Sequence, residues 1–181
     1  MNIKPANLLH ADFNKEIIKF RNEIVDITKV ICELTEYSLW NDDSEKESVD
    51  KIKYIKHLWF AIAIDDLFFT LDNNIEQESQ GLKNFKILLS NWIIPEYIKI
   101  DGVKLEALYM NRDNPKFEPL IERYKKEISK LKKLWCIVIW EWIKNWEDAE
   151  FASSLGCDLF QWQSLKPSHF KNRNNIDSIS G

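Results

Sequence analysis

The chain has 181 residues, 45% of them hydrophobic and 30% charged, with a formal net charge of −4. That length fits one domain better than two and is enough to bury a core without disulfides or metal. The acidic balance, with arginine only at Arg21, Arg112, Arg123 and Arg173, argues against nucleic-acid binding, which draws on a basic surplus and on the planar donors of arginine. Eight Trp and ten Phe against four Gly argue against disorder and against an all-β fold rich in tight turns.

The first segment, Met1 to Ala11, lacks the apolar stretch of a signal peptide. A first helix is expected from about Asn14 to Leu39, because Ile17, Phe20, Ile24, Ile27, Ile31 and Leu34 recur at three- and four-residue steps. Asn41 to Asp50 is a polar, mostly acidic link, and Ser44 with Glu47 fits a capping box. A second helix should then run to about Leu71, apolar all round from Leu58 onward except at Asp65, Asp66 and Thr70. A helix of that kind belongs in the middle of a fold.

Asp72 to Gly81 is a polar loop, and Leu82 to Ile93 is a third helix stopped by Pro95. Tyr97 to Leu105 is ambiguous. Asp101-Gly102 there suits either a short β-hairpin or a turn into a helix ending near Met110. The clearest periodicity begins at Pro119, a good first helical residue. Ile121, Tyr124, Ile128, Leu131, Trp135, Val138 and Trp142 would lie on one stripe. A last helix, Asn145 to Leu155, stops at Gly156. The expected architecture is mainly α: a single-domain helical bundle of five to six helices over residues 1–170, with one short hairpin near 97–105 as the only β option. A polar, flexible tail is expected at 171–181. Trp59, Ile62, Trp135, Val138 and Trp142 are expected to share its core.

Cys32, Cys136 and Cys157 are widely spaced and form no CxxC pair, so they read as small buried hydrophobes. His10, His57 and His169 show no ligand spacing. No apolar run approaches the roughly 18 residues of a membrane span. Cytoplasmic localisation, no membrane association and no cofactor are expected.

The strongest chemical anomaly is Asp65-Asp66 within an apolar stretch. An unpaired carboxylate is costly to bury, so these residues must be paired, protonated, metal-bound or facing a cavity. Asp65-Asp66-Leu67-Phe68-Phe69 resembles the first half of the aspartate-rich motif of class I terpene synthases. That resemblance implies a helical enzyme holding magnesium against diphosphate. The fifth position is Phe69 where that family carries an acid, and the other similar string, Asn41-Asp42-Asp43-Ser44, lies upstream of it. The ordinary reading is an ion pair to a lysine or arginine. Glu141, between Trp140 and Trp142, is a parallel case. It would either join Asp65 and Asp66 around a cation or pair with a base supplied by Lys144 or by a neighbouring helix.

Two functions follow. The favoured one is non-catalytic. The chain resembles, in general character, cytosolic immunity proteins and small phage-encoded inhibitors, occluding a basic protein partner through Asp42, Asp43, Glu45, Glu47, Glu76 and Glu78, with Trp40 as an anchor. The alternative is a small helical metal-dependent enzyme whose site is Asp65, Asp66 and Glu141.

Overall fold

The computed structural model of the protein describes residues 2–3, 8–35, 45–69 and 79–162. Strands and helices alternate along them, with two helices in succession between the fourth and fifth strands. The elements are β1 (Asn2–Ile3), α1 (Phe13–Glu23), β2 (Ile31–Leu34), α2 (Glu45–His57), β3 (Ala61–Leu67), α3 (Gln80–Ser90), β4 (Tyr97–Ile100), α4 (Gly102–Met110), α5 (Glu118–Lys133), β5 (Ile137–Ile143), α6 (Trp146–Leu155) and β6 (Leu159–Trp162). Among the described residues the strands form one six-stranded sheet in the order β1-β2-β3-β4-β5-β6, and every pairing is parallel. This is an α/β fold, so the expected mainly α bundle is wrong.

The error has one physical source. A parallel sheet covered on both faces makes its strands read as continuous apolar runs, which periodicity cannot separate from a buried helix. Ile62, Ala63 and Ile64 are buried in succession on β3, and Ile98, Lys99 and Ile100 on β4. The long helices expected from Asn14, from the Ser44 capping box and from Pro119 therefore each end early and give way to a strand. At 97–105 the structure has a strand followed by a helix and no hairpin.

Four of the helices end in the same way. Phe60 N–H reaches back to the Ile55 carbonyl at 3.4 Å, Ile93 to Leu88 at 2.9 Å, Cys136 to Leu131 at 3.2 Å and Cys157 to Ala152 at 3.1 Å. Each is the six-residue closure of a Schellman motif, whose penultimate residue adopts the left-handed conformation. The residues in that position are Trp59, Trp92, Trp135 and Gly156, with φ of 68°, 61°, 65° and 100°. The flanking apolar pairs of each closure are buried, which seals the helix end against the strand that follows.

The expected shared core is corrected accordingly. Ile62 and Val138 are fully buried, but Trp59 is 81% exposed, Trp135 91% and Trp142 48%. Cys32, Cys136 and Cys157 are free and buried. No helix among the described residues is long and apolar enough to cross a membrane.

Candidate metal centre

Strand register brings four ionisable residues to one face of the sheet. Glu33 on β2 aligns with Ala63 on β3, Ala63 with Tyr97 on β4, and Tyr97 with Ile137 on β5. Side chains two residues apart share a face. Glu33, Asp65, Lys99 and Glu141 therefore share one face, in the carboxyl-terminal halves of their strands, the end at which open α/β sheets place their ligands.

Two β-bulges complete the arrangement. Ile64 aligns with Ile98 and Leu67 with Ile100, so Asp65 and Asp66 together oppose the single residue Lys99. Likewise Trp140 aligns with Phe160 and Ile143 with Trp162, leaving Glu141 and Trp142 opposite Gln161. In both bulges the second residue is left-handed, Asp66 at φ 52° and Trp142 at φ 59°. A bulge re-aims a side chain that regular alternation would send to the other face. Here it lets consecutive residues Asp65 and Asp66 serve one site. Carboxylate oxygens of Asp65, Asp66 and Glu141 all lie within 4.8 Å of one another.

A glycine lies against each bulge. A Cβ on Gly81, at the start of α3, would sit 2.3 Å from the Asp65 carbonyl oxygen, and one on Gly102, opening α4, 2.4 Å from that of Glu141. Only a residue without a Cβ lets these helix starts approach so closely. Ser79 caps α3 by accepting from Leu82 N–H at 3.0 Å, and it also accepts from Phe68 N–H at 3.1 Å. Buried Tyr124 on α5 accepts from Phe69 N–H at 3.1 Å. Tyr124→Phe should leave that donor unsatisfied and lower stability by about 1–3 kcal/mol. Urea denaturation measures it, and an unchanged midpoint would remove Tyr124 as the anchor of this segment.

Lys99 sits at the centre of the acids. Its Nζ is 2.7 Å from Glu141 Oε1, 3.0 Å from Glu33 Oε1 and 3.2 Å from Asp65 Oδ1. Burial works to lower the lysine pKa, but the hydrogen bond and charge of Glu141, with Asp65 and Glu33, outweigh it and raise the value. Burial pushes the Glu141 carboxyl up, with Asp65 and Asp66 adding to the rise and Lys99 opposing it. The approach to Asp65 lacks hydrogen-bond geometry, so Oδ1 is buried with no hydrogen-bond partner. Thr35 Oγ1, two residues beyond Glu33, is buried in the same condition.

These observations fit a divalent cation. The donors are all oxygen, which suits magnesium, calcium or manganese. Among the described residues, the carboxylates of Glu33, Asp65 and Glu141 share the one ammonium of Lys99, and one carboxylate oxygen, Asp65 Oδ1, lacks a hydrogen-bond donor.

The structure brings together Asp65, Asp66 and Glu141. The base opposite Glu141 is Lys99 on a neighbouring strand, while Lys144 pairs instead with Glu106 at 2.6 Å. Sequence reading missed Lys99 and Glu33 as site residues. The available signal was a single lysine inside the apolar run Ile98-Lys99-Ile100. Asp65 and Asp66 stand on a strand, which removes the terpene-synthase resemblance, since that motif belongs to a helix. Glu45 and Glu47 fall in the first turn of α2, where acids favour the helix dipole. Trp40, Asp42, Asp43, Glu76, Glu78, Asp72 and His169 lie outside the described residues.

No family model matches the chain, and no curated protein is similar to it in sequence. Solved structures do share its fold. The EAL enzyme Bd1971, in a form binding cAMP and cyclic-di-GMP, superposes with a TM-score of 0.65 at 21% identity, over 89% of this chain and 37% of that one. Bacillus subtilis YkuI, a protein with an EAL domain in complex with substrate c-di-GMP and calcium, gives 0.63 at 16% identity, over 90% and 35%. The EAL domain of Mycobacterium smegmatis DcpA gives 0.65 at 18%, over 89% and 63%. The chain thus spans less than two thirds of each of these. The likeness establishes the EAL-type α/β fold. It also overturns the inhibitor reading, which rested on a helical immunity-type bundle that this chain does not form.

Proposed function

We propose that the chain carries a divalent-cation-dependent site for hydrolysing a phosphodiester, with a cyclic dinucleotide of the c-di-GMP kind as substrate. The observation that carries this reading is the Asp65, Asp66 and Glu141 cluster, gathered by two bulges at the carboxyl edge of the sheet. Support for the substrate class comes from the fold neighbours, among them the PaMucR phosphodiesterase in complex with c-di-GMP and YkuI with c-di-GMP and calcium.

Asp65, Asp66 and Glu141 would hold the cation. Bound there, the cation supplies a Lewis acid for a phosphoryl oxygen and lowers the pKa of bound water. Lys99 keeps the carboxylates of Glu33 and Glu141 oriented by donating from Nζ. It also limits their mutual repulsion before a cation arrives.

The test is calorimetry and thermal melting with magnesium, manganese and calcium, followed by assay of c-di-GMP cleavage. A cation at a hundredfold excess over its dissociation constant should add about 2.7 kcal/mol. For a domain of this size that raises the melting temperature by roughly 5–10 °C. Asp65→Asn and Glu141→Gln should remove the shift together with cleavage. The metal-centre reading fails if none of the three cations moves the melting temperature at millimolar concentration. Cation binding without cleavage would leave the centre standing and sink the substrate assignment.

A further inference from the structure

The four most exposed large apolar side chains among the described residues are Val25 at 104%, Trp92 at 94%, Trp135 at 91% and Trp59 at 81%. All four lie in the turns that lead into strands, on the edge of the sheet opposite the acidic centre. Trp59, Trp92 and Trp135 precede β3, β4 and β5, which are consecutive in the sheet. Their turns therefore sit side by side across two strand spacings, about 10 Å.

Folding does not account for these tryptophans. Each occupies the left-handed position of a Schellman closure, where glycine is the residue of least strain. The equivalent turn before β6 uses Gly156 at φ 100° and makes the same closure. Three sites thus accept both backbone strain and exposed apolar area that the fourth avoids.

We propose that this edge is a self-association face, on which Trp59, Trp92 and Trp135 of one copy pack against the same ridge of a second copy. Three indoles offer roughly 400–700 Å² of contact area. That is about half or more of the roughly 800 Å² each partner contributes to a standard interface. Ile94, 43% exposed, extends the patch.

Charge points to a second copy as the occupant. Two of the cations beside the ridge are matched within the chain: Lys56 Nζ lies 2.5 Å from Glu96 Oε1 and Lys132 Nζ 2.7 Å from Asp158 Oδ1. A rim of internally matched pairs can meet its own image without clustering like charges. The same matching, in a chain of net charge −4, leaves little attraction for an anionic lipid surface. A two-fold contact of one patch with itself is also the commonest form of oligomer.

The experiment is sedimentation velocity on the full chain from sub-micromolar to high-micromolar concentration, for the wild type and for the triple variant Trp59→Gly, Trp92→Gly, Trp135→Gly. Glycine suits the left-handed position, so the variant should fold with an unchanged or higher melting temperature at concentrations where both proteins are monomeric. The wild type should dimerise, and the variant should dissociate at least 100-fold more readily. Cation binding should be unaffected, so this result is independent of the proposed activity. A wild type monomeric throughout, or a variant that dimerises equally well, overturns the proposal. So does a monomeric wild type that co-sediments with phosphatidylserine vesicles, which would assign the ridge to a lipid surface.

Discussion

Lys99→Met is expected to reduce the free energy of unfolding by on the order of 3–5 kcal/mol, the usual loss when one member of a buried ion pair is removed. Lys99 is 8% exposed and Glu141 3%, so water cannot replace the missing ammonium. Methionine fills similar volume, which keeps a packing defect from imitating the effect. What remains is Glu141, Asp65 and Glu33 at the distances Lys99 held them, without the ammonium that all three share. The variant makes a second, more specific demand. If the cluster binds a divalent cation, added magnesium or calcium should restore more stability to Lys99→Met than it adds to the wild type, because it replaces the lost charge. Urea denaturation with and without cation measures both terms. A loss below about 1 kcal/mol would show that the lysine does not hold the acids together.

Gly81→Ala and Gly102→Ala should each cost about 3 kcal/mol, the upper end for inserting one carbon into a packed site. Both methyl groups would meet backbone, the carbonyl oxygens of Asp65 and Glu141 at 2.3 and 2.4 Å, and that of Gly102 would also meet Trp142 Cβ at 2.8 Å. A flexible side chain can swing aside, but a bulge in a buried strand cannot. Either the helix start lifts away or the bulge flattens, and both outcomes shift a carboxylate. Cation affinity should therefore fall roughly 10–100-fold in either variant, as when the support of a metal ligand is disturbed. Thermal melting and calorimetry together test this. Full cation affinity in a destabilised variant would mean that the glycines serve helix packing alone.

How much of this was visible beforehand differs from element to element. Helix α5 begins where Pro119 indicated, and α6 ends at Gly156, because proline and glycine act through their own backbone preferences. The ends of α2 and α5 were missed because Trp59 and Trp135 hold a position that chemistry normally assigns to glycine. With no breaker at those points, each helix was read straight through the strand after it. The acids behaved differently. Asp65, Asp66 and Glu141 stood out because charge inside an apolar run is expensive wherever the run ends up. They are at one site even though the assumed secondary structure was wrong.

The sequence by itself determined which segments would be buried, several of the helix ends, and which carboxylates needed a partner. All three follow from transfer free energies and local backbone preferences, which each residue carries with it. Only the tertiary structure decided that the apolar runs are parallel strands, that Lys99 and Glu33 meet Asp65 and Glu141, and that two bulges turn Asp66 and Trp142 out of alternation. Those outcomes depend on strand register between segments tens of residues apart. Register is set by the packing of the whole sheet, so no local window of sequence contains it.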